Sequence, residues 1–231
     1  MYRHPRLWLQ LCLCAALHAS GQTARDASID AHEDQKFGRT WNLRKDQNGI
    51  RVYTRTTDSS RFDELKVETI LPGKPSSLAT LILDIANYPN WSFNNEKAYV
   101  LKTISPDELY FYSLVHSPWP ASDRDLAVHL HIRQDSSTGK IYISADEMAN
   151  YIPEKQGIVR VPLSVERWIV IPLPGDKLKI SYELRLDPGA SAPPWLINIF
   201  STKGPYETFL NIRNQLQKPK YHDATLAFIR N

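Results

Sequence analysis

The chain has 231 residues, 28 of them Lys or Arg and 25 Asp or Glu, for a formal net charge of +3. So balanced a composition excludes the strongly basic surface of a nucleic-acid binder, and the length suits one domain with a real core. Residues 1–6 carry Arg3 and Arg6 with no acid, and residues 7–19 (LWLQLCLCAALHA) are apolar apart from Gln10 and His18. Small residues follow at Ala19, Ser20 and Gly21. A basic start, a short apolar run and a small-residue exit form the pattern of a secretory signal peptide. At about 1.5 Å of rise per residue the run reaches only ~20 Å, short of a ~30 Å hydrocarbon core. The expectation is a signal over residues 1–21, cleaved after Ala19 or Gly21, and export to a periplasm or the extracellular space. Losing Arg3 and Arg6 leaves 26 basic against 25 acidic residues, a net charge of +1. Cys12 and Cys14 both fall in the signal, so the mature chain offers no disulfide, thiol nucleophile or cysteine metal site.

Residues 22–37 are a polar leader with a short helix expected near residues 30–37. Strand signals then dominate. Residues 50–55 follow the turn Asn48-Gly49, and residues 62–71 alternate with Leu65, Val67, Thr69 and Leu71 on one face. Residues 75–86 predict a helix, with Pro75 in its first turn and Leu78, Leu81, Ile82 and Ile85 at helical spacing. After Asn87-Tyr88-Pro89-Asn90-Trp91, strands are expected at 98–104, 109–116, 124–133, 140–146, 157–171 and 177–186. The last is the cleanest: Leu178, Ile180, Tyr182, Leu184 and Leu186 alternate with Lys177, Lys179, Ser181, Glu183 and Arg185. Such alternation makes one apolar and one wet face. The chain then turns helical through Trp195, Leu196, Ile199 and Phe200, and beyond Gly204-Pro205 through Tyr206, Phe209, Leu210, Arg213 and Leu216, with a kink or break expected at Pro205.

A sheet with one apolar face must be covered, so the terminal helix is expected to pack across it in an α+β fold. Four stretches carry a resemblance to a known family: DIANYPNW (84–91), WPASDRDLAVH (119–129), RWIVIP (167–172), and 182–216 with its Asp187-Pro188-Gly189, PWLIN and Gly204-Pro205. Over residues 38–217 the chain resembles the StAR-related lipid transfer (START) domain, of the helix-grip fold. WPxSDRD and DPGxxxPxW together are fairly specific. The resemblance implies a curved antiparallel sheet wrapped around a long C-terminal helix, an enclosed apolar tunnel for one lipid, and usually no catalysis. Residues 218–231 are then a C-terminal tail. Sterol-binding members tend to carry a polar pair inside the tunnel, at positions that look like Phe111 and Leu130 here. An apolar pair cannot pin a hydroxyl, so sterol recognition does not carry over.

On that frame the expected tunnel residues are Phe111, Leu126, Val128, Leu130, Tyr182, Leu184, Trp195, Ile199 and Phe200. The bland alternative, a filled core, fits the same pattern. Trp119, between Pro118 and Pro120, is read as a gate or membrane-touching edge, since indoles suit apolar–polar boundaries. Asp123, Arg124 and Asp125 are read as an ion network tying a strand start to a neighbouring loop rather than an acid–base set. His129 and His131 share a strand face, but with no third ligand nearby they are expected to face solvent rather than hold a metal. No cofactor is implied. The partners expected are a lipid ligand and transient contact with a membrane, acting as a monomer. Two other readings stay open: a cavity enzyme, with Tyr182 its inward titratable group, and a ligand sensor acting through a partner protein. GxSxG, HExxH and phosphate-cradling glycine loops are all missing from the sequence.

Overall fold

In a computed structural model, residues 40–57, 60–148, 150–189 and 192–231 are described. The expected signal and leader, residues 1–37, lie outside the described residues. Ten strands form one sheet: β1 (Asn42–Gln47), β2 (Ile50–Thr57), β3 (Ser60–Pro72), β4 (Asn95–Ser105), β5 (Glu108–Val115), β6 (Arg124–Gln134), β7 (Ile141–Glu147), β8 (Val159–Arg160), β9 (Leu163–Leu173) and β10 (Lys177–Asp187). Their spatial order is β1-β2-β3-β10-β9-β7-β6-β5-β4, all antiparallel, with the two-residue β8 pairing parallel to the start of β6. The alternation of β10 holds: Leu178, Ile180 and Tyr182 are buried while Lys177, Lys179 and Glu183 are exposed.

Helices cover the apolar face. α1 (Pro75–Leu83) starts on Pro75, whose missing N–H costs nothing in a first turn. It stops before the expected end at residue 86 and passes into a 3-10 helix, Ile85–Asn90. Asp84, at ψ 68°, has left α geometry and ends the helix there. The terminal helix comes in pieces: α2 (Pro194–Asn198), a π-helical turn (Ile199–Lys203) and α3 (Gly204–Leu216). The break therefore lies one turn ahead of Pro205. Pro205 has no N–H for the carbonyl of Ser201, so the ladder widens before it and α3 restarts with the proline in its first turn. α3 buries Tyr206, Phe209 and Leu216 of the expected stripe, together with Ile212, while Leu210 and Arg213 are only half-buried.

Three expectations are corrected. β1 was not foreseen: it is an edge strand, NLRKDQ, mostly exposed, and polar residues on both faces give no alternation. The single strand expected over 157–171 is two, because Pro162 cannot donate to a ladder. Val161 instead donates its N–H to the Asp125 carbonyl at 3.0 Å before β9 begins. Residues 218–231 are not a free tail. They form α4 (Pro219–His222) and a docked segment whose Tyr221 and Ile229 are buried in the main core. Ser76 donates through its backbone N–H and its hydroxyl to Asn231 Oδ1, at 3.0 and 2.8 Å. Tyr221 donates to Asp84 Oδ2 at 2.6 Å. Residues 41–231 form one compact unit, and among the described residues no helix is long and apolar enough to cross a membrane.

Candidate lipid-binding cavity

Between the sheet and the terminal helix lies a cavity of about 180 Å³. Its floor is strand: Phe111 from β5, Leu130 from β6, Ala145 from β7, Glu166 and Trp168 from β9, Tyr182 and Leu184 from β10. Its roof is Tyr88 of the 3-10 helix, Trp91 just after it, Phe200 of the π turn and Phe209 of α3. The rings interlock. Tyr88 sits edge-on to Phe111 at 5.2 Å, and Trp168 meets Tyr182 at 4.7 Å and Phe209 at 5.1 Å. Such aromatic contacts hold a wall rigid while leaving the space beyond it open.

A second, smaller cavity of about 40 Å³ adjoins the first, bounded by Phe62, Leu65, Pro188 and Leu196. Leu184, Leu186 and Phe200 line both, so these side chains are the partition. Phe200 stands on the π turn and meets Phe93 edge-on at 5.9 Å. Gly204 begins α3 against the same ring. A Cβ there would lie 3.0 Å from the Phe93 ring, so any other residue would need that ring to give by a few tenths of an ångström. Gly189 closes the other side of the helix entry: at φ +88° it follows Asp187, whose carboxyl accepts the Gly189 N–H at 2.9 Å.

Of the residues expected to line a tunnel, Phe111, Leu130, Tyr182, Leu184 and Phe200 are on the wall. Leu126, Val128, Ile199 and Trp195 are not. Val128 is packed into the core and Leu126 is half-buried, because alternation fixes which face a side chain takes, not how much lies above it. Trp195 is 38% exposed, and its neighbour Leu196 takes the buried position instead. Trp119 is 91% exposed, the most exposed large apolar side chain described.

The Asp123-Arg124-Asp125 run splits rather than forming one cluster. Asp125 is buried and takes Arg160 Nε at 2.7 Å and the Tyr112 hydroxyl at 3.2 Å. Arg160 also donates to the Ile152 and Pro153 carbonyls, so this pair ties β6 to the 150–160 loop. Arg124 points to the other face, donating to Ser117 Oγ at 3.1 Å and to the Ser122 carbonyl. Burial holds its guanidinium pKa below the usual value. Asp123 accepts the Ser117 N–H at 2.9 Å and lies 3.1 Å from His116 Nδ1. His129 meets Glu108 at 2.6 Å and stacks on Tyr110, and His131 lies 3.8 Å from Asp107.

Sequence reasoning missed Glu166. It follows Ser164 and precedes Trp168 and Val170 on the inward register of β9, so a carboxyl is placed on an apolar wall. That phase was the available signal: an acid among residues of the buried face. Desolvation pushes its pKa up to about 7, against hydrogen bonds from Trp168 and Tyr182 that pull it down. The surface it leaves open faces the cavity. Burial, and then the nearby carboxyl, push the Tyr182 and Tyr88 hydroxyls well above the usual phenol range. Tyr88 meanwhile donates to the Ile82 carbonyl at 2.9 Å.

Comparison with known proteins agrees with this architecture. The START domain family model matches residues 30–221. Phosphatidylcholine transfer protein from Mus musculus is 28% identical over 198 residues, covering 82% of this chain and 90% of that protein. A solved STAR-related lipid transfer protein from Xanthomonas axonopodis (fragment 25–204) is 28% identical, covering 77% of this chain and 99% of the solved chain, with a TM-score of 0.71. Human StAR-related lipid transfer protein 5 shares the fold at a TM-score of 0.66 and 17% identity, over 86% of this chain and 98% of its own. A sheet closed by its terminal helix around an apolar cavity, matched over most of the chain, places this protein in the START domain family.

Proposed function

We propose that this protein binds one lipid at a time in the cavity and carries it between membranes outside the cytoplasm. The observation that carries this reading is the hollow itself: an aromatic-lined space roofed by the terminal helix where a filled core would be expected. The family membership and the likeness to a phosphatidylcholine transfer protein support it. A cavity of about 180 Å³ is close to the ~150 Å³ that holds a single benzene ring. A space of this size suits a headgroup or one ring, and a long-chain lipid requires the partition at Phe200 to move. Native mass spectrometry of the purified protein, followed by lipid extraction, tests the reading. One retained lipid per chain is expected; an empty protein that takes up none from vesicles refutes it.

Export rests on the Arg3/Arg6 start, the apolar run and the small residues at 19–21. Exported protein should begin near Ser20 or Gln22, and intact mass with Met1 retained refutes it. Membrane contact rests on Trp119, exposed between two prolines. Trp119→Ala should slow vesicle transfer with the melting curve unchanged, and equal transfer would remove that role. One observation favours the enzyme reading: Glu166, with a pKa near 7, is hydrogen-bonded to Tyr182 inside the cavity. Turnover of a bound lipid, abolished in Glu166→Gln, would establish it; the carrier reading expects the lipid to be recovered intact.

A further inference from the structure

The polar chemistry of the cavity is lopsided. Glu166 is the one carboxyl on its lining, and among the described lining residues there is no Lys, Arg or His. The nearest basic side chain in sequence, Arg167, points to the opposite face of the sheet and binds Asp146 there at 2.6 Å. β7 contributes Ala145, the register partner of Glu166, and β10 contributes Leu184. Ala145 is small, so the space beside the carboxyl stays open. The titratable groups that face Glu166 are Tyr182 from β10 and Tyr88 from the 3-10 helix, and burial keeps both phenols neutral. Asp146 and Arg167 act on it only from across the sheet. The rest of the roof, Thr208 and Phe209 of α3 and Phe200 of the π turn, brings no ionisable group.

A carboxylate has about four acceptor positions, more than the single donors of Trp168 and Tyr182 can fill. The remaining acceptor capacity is open to the cavity. Tyr88, Trp91, Trp168 and Tyr182 line the same cavity, and aromatic ring faces attract cations. A buried carboxylate with no protein counter-charge is costly, and a ligand that brings the charge relieves that cost.

We infer that Glu166, with the rings around it, is a subsite for an ammonium group bearing N–H donors, carried by an amine-headed lipid. The inference rests on the carrier reading and names the ligand class for it. The ammonium supplies the missing counter-charge and donates to the open side of the carboxylate. Its own pKa is that of an alkyl amine, near 10, so it stays charged over the range in which Glu166 titrates. Proton binding to Glu166 therefore competes with the ligand. With a pKa of about 7, the ionised fraction of Glu166 falls roughly thirtyfold between about pH 8 and about pH 5.5.

The test is vesicle-to-vesicle transfer of acyl-labelled phosphatidylethanolamine, phosphatidylcholine and phosphatidylglycerol by wild type and Glu166→Gln. At about pH 8, wild type should prefer the ethanolamine lipid over the glycerol lipid by roughly tenfold, the scale of one hydrogen bond to a charged group. The preference should vanish in Glu166→Gln, and in wild type at about pH 5.5. The wild-type pH arm stands even if the variant folds poorly. A preference kept in Glu166→Gln, or unchanged by pH, overturns the subsite. Equal transfer of the choline lipid, which has no N–H, overturns the hydrogen-bonded ammonium. Preference for the glycerol lipid overturns the charge argument. Transfer of none of the three overturns the carrier reading, and this subsite with it.

Discussion

Replacing Glu166 by Gln should make the lipid-free protein more stable, and by an amount that depends on pH. The folded carboxyl has a pKa of about 7 against an ordinary value of 4.5, with desolvation the main cause. Below about pH 4.5 both the folded and the unfolded chain carry the proton, so the residue contributes no pH dependence. Between 4.5 and 7 the folded state keeps a proton that the unfolded state has lost, and stability falls as pH rises. Above 7 both are ionised and the whole difference is in place. A shift of about 2.5 units corresponds to ~3 kcal/mol. Gln has nearly the same shape, keeps an acceptor for Trp168 and Tyr182, and is neutral throughout. The variant should match wild type at about pH 4 and exceed it by ~3 kcal/mol at about pH 8. For a domain of this size that is roughly 6–12 °C in melting temperature. Urea titrations of delipidated protein across the range give the difference curve, with unchanged slopes showing that the unfolded states are comparable. Two parallel stability curves, or a variant less stable at high pH, would refute the placement of the carboxyl in a desolvated wall.

Four substitutions test the geometry further. Leu130 is 1% exposed and lines the cavity, so Leu130→Trp should block lipid uptake with a near-normal melt. A destabilisation of ~1–3 kcal/mol or more would mean that the space is already filled. Phe209 is buried between Trp168 and Tyr182, and Phe209→Ala should cost ~3–5 kcal/mol in chemical denaturation. Phe200→Ala should cost less than half as much yet weaken lipid retention more, because it opens the partition; equal stability losses would contradict this. Asp125→Ala strands the Arg160 guanidinium and should cost ~3–5 kcal/mol, while a loss below ~1 kcal/mol would show that the pair is well hydrated.

Much of the frame was legible from the sequence because it rests on local periodicities. The alternation of β10 and the stripe on α3 each need only a few consecutive residues to be read. The turn at Asp187-Pro188-Gly189 is written in its own side chains, since Asp187 caps the Gly189 N–H. The motifs WPxSDRD and DPGxxxPxW then joined these pieces into one family architecture. β1 escaped because its residues are polar on both faces, and the β8/β9 break because one proline outweighs a long apolar run.

The site itself was decided by the tertiary structure. Phe111, Val128 and Leu130 follow the same inward alternation, yet Val128 is packed over and Leu130 borders a hollow. The difference is set by Tyr88, Phe200 and Phe209, brought over the sheet by helices distant in sequence. Trp195 is left exposed while its neighbour Leu196 is buried, a choice made by how α2 packs and not by the sequence around it. Asp125 found its partner in Arg160, from a loop whose path no periodicity encodes. Glu166 is the clearest case. Its inward register could be counted along β9, but its chemistry depends on how far water is excluded by side chains of the other elements that line the cavity. Face is a property of the strand. Depth, and with it the charge state of a carboxyl, is a property of everything packed above it.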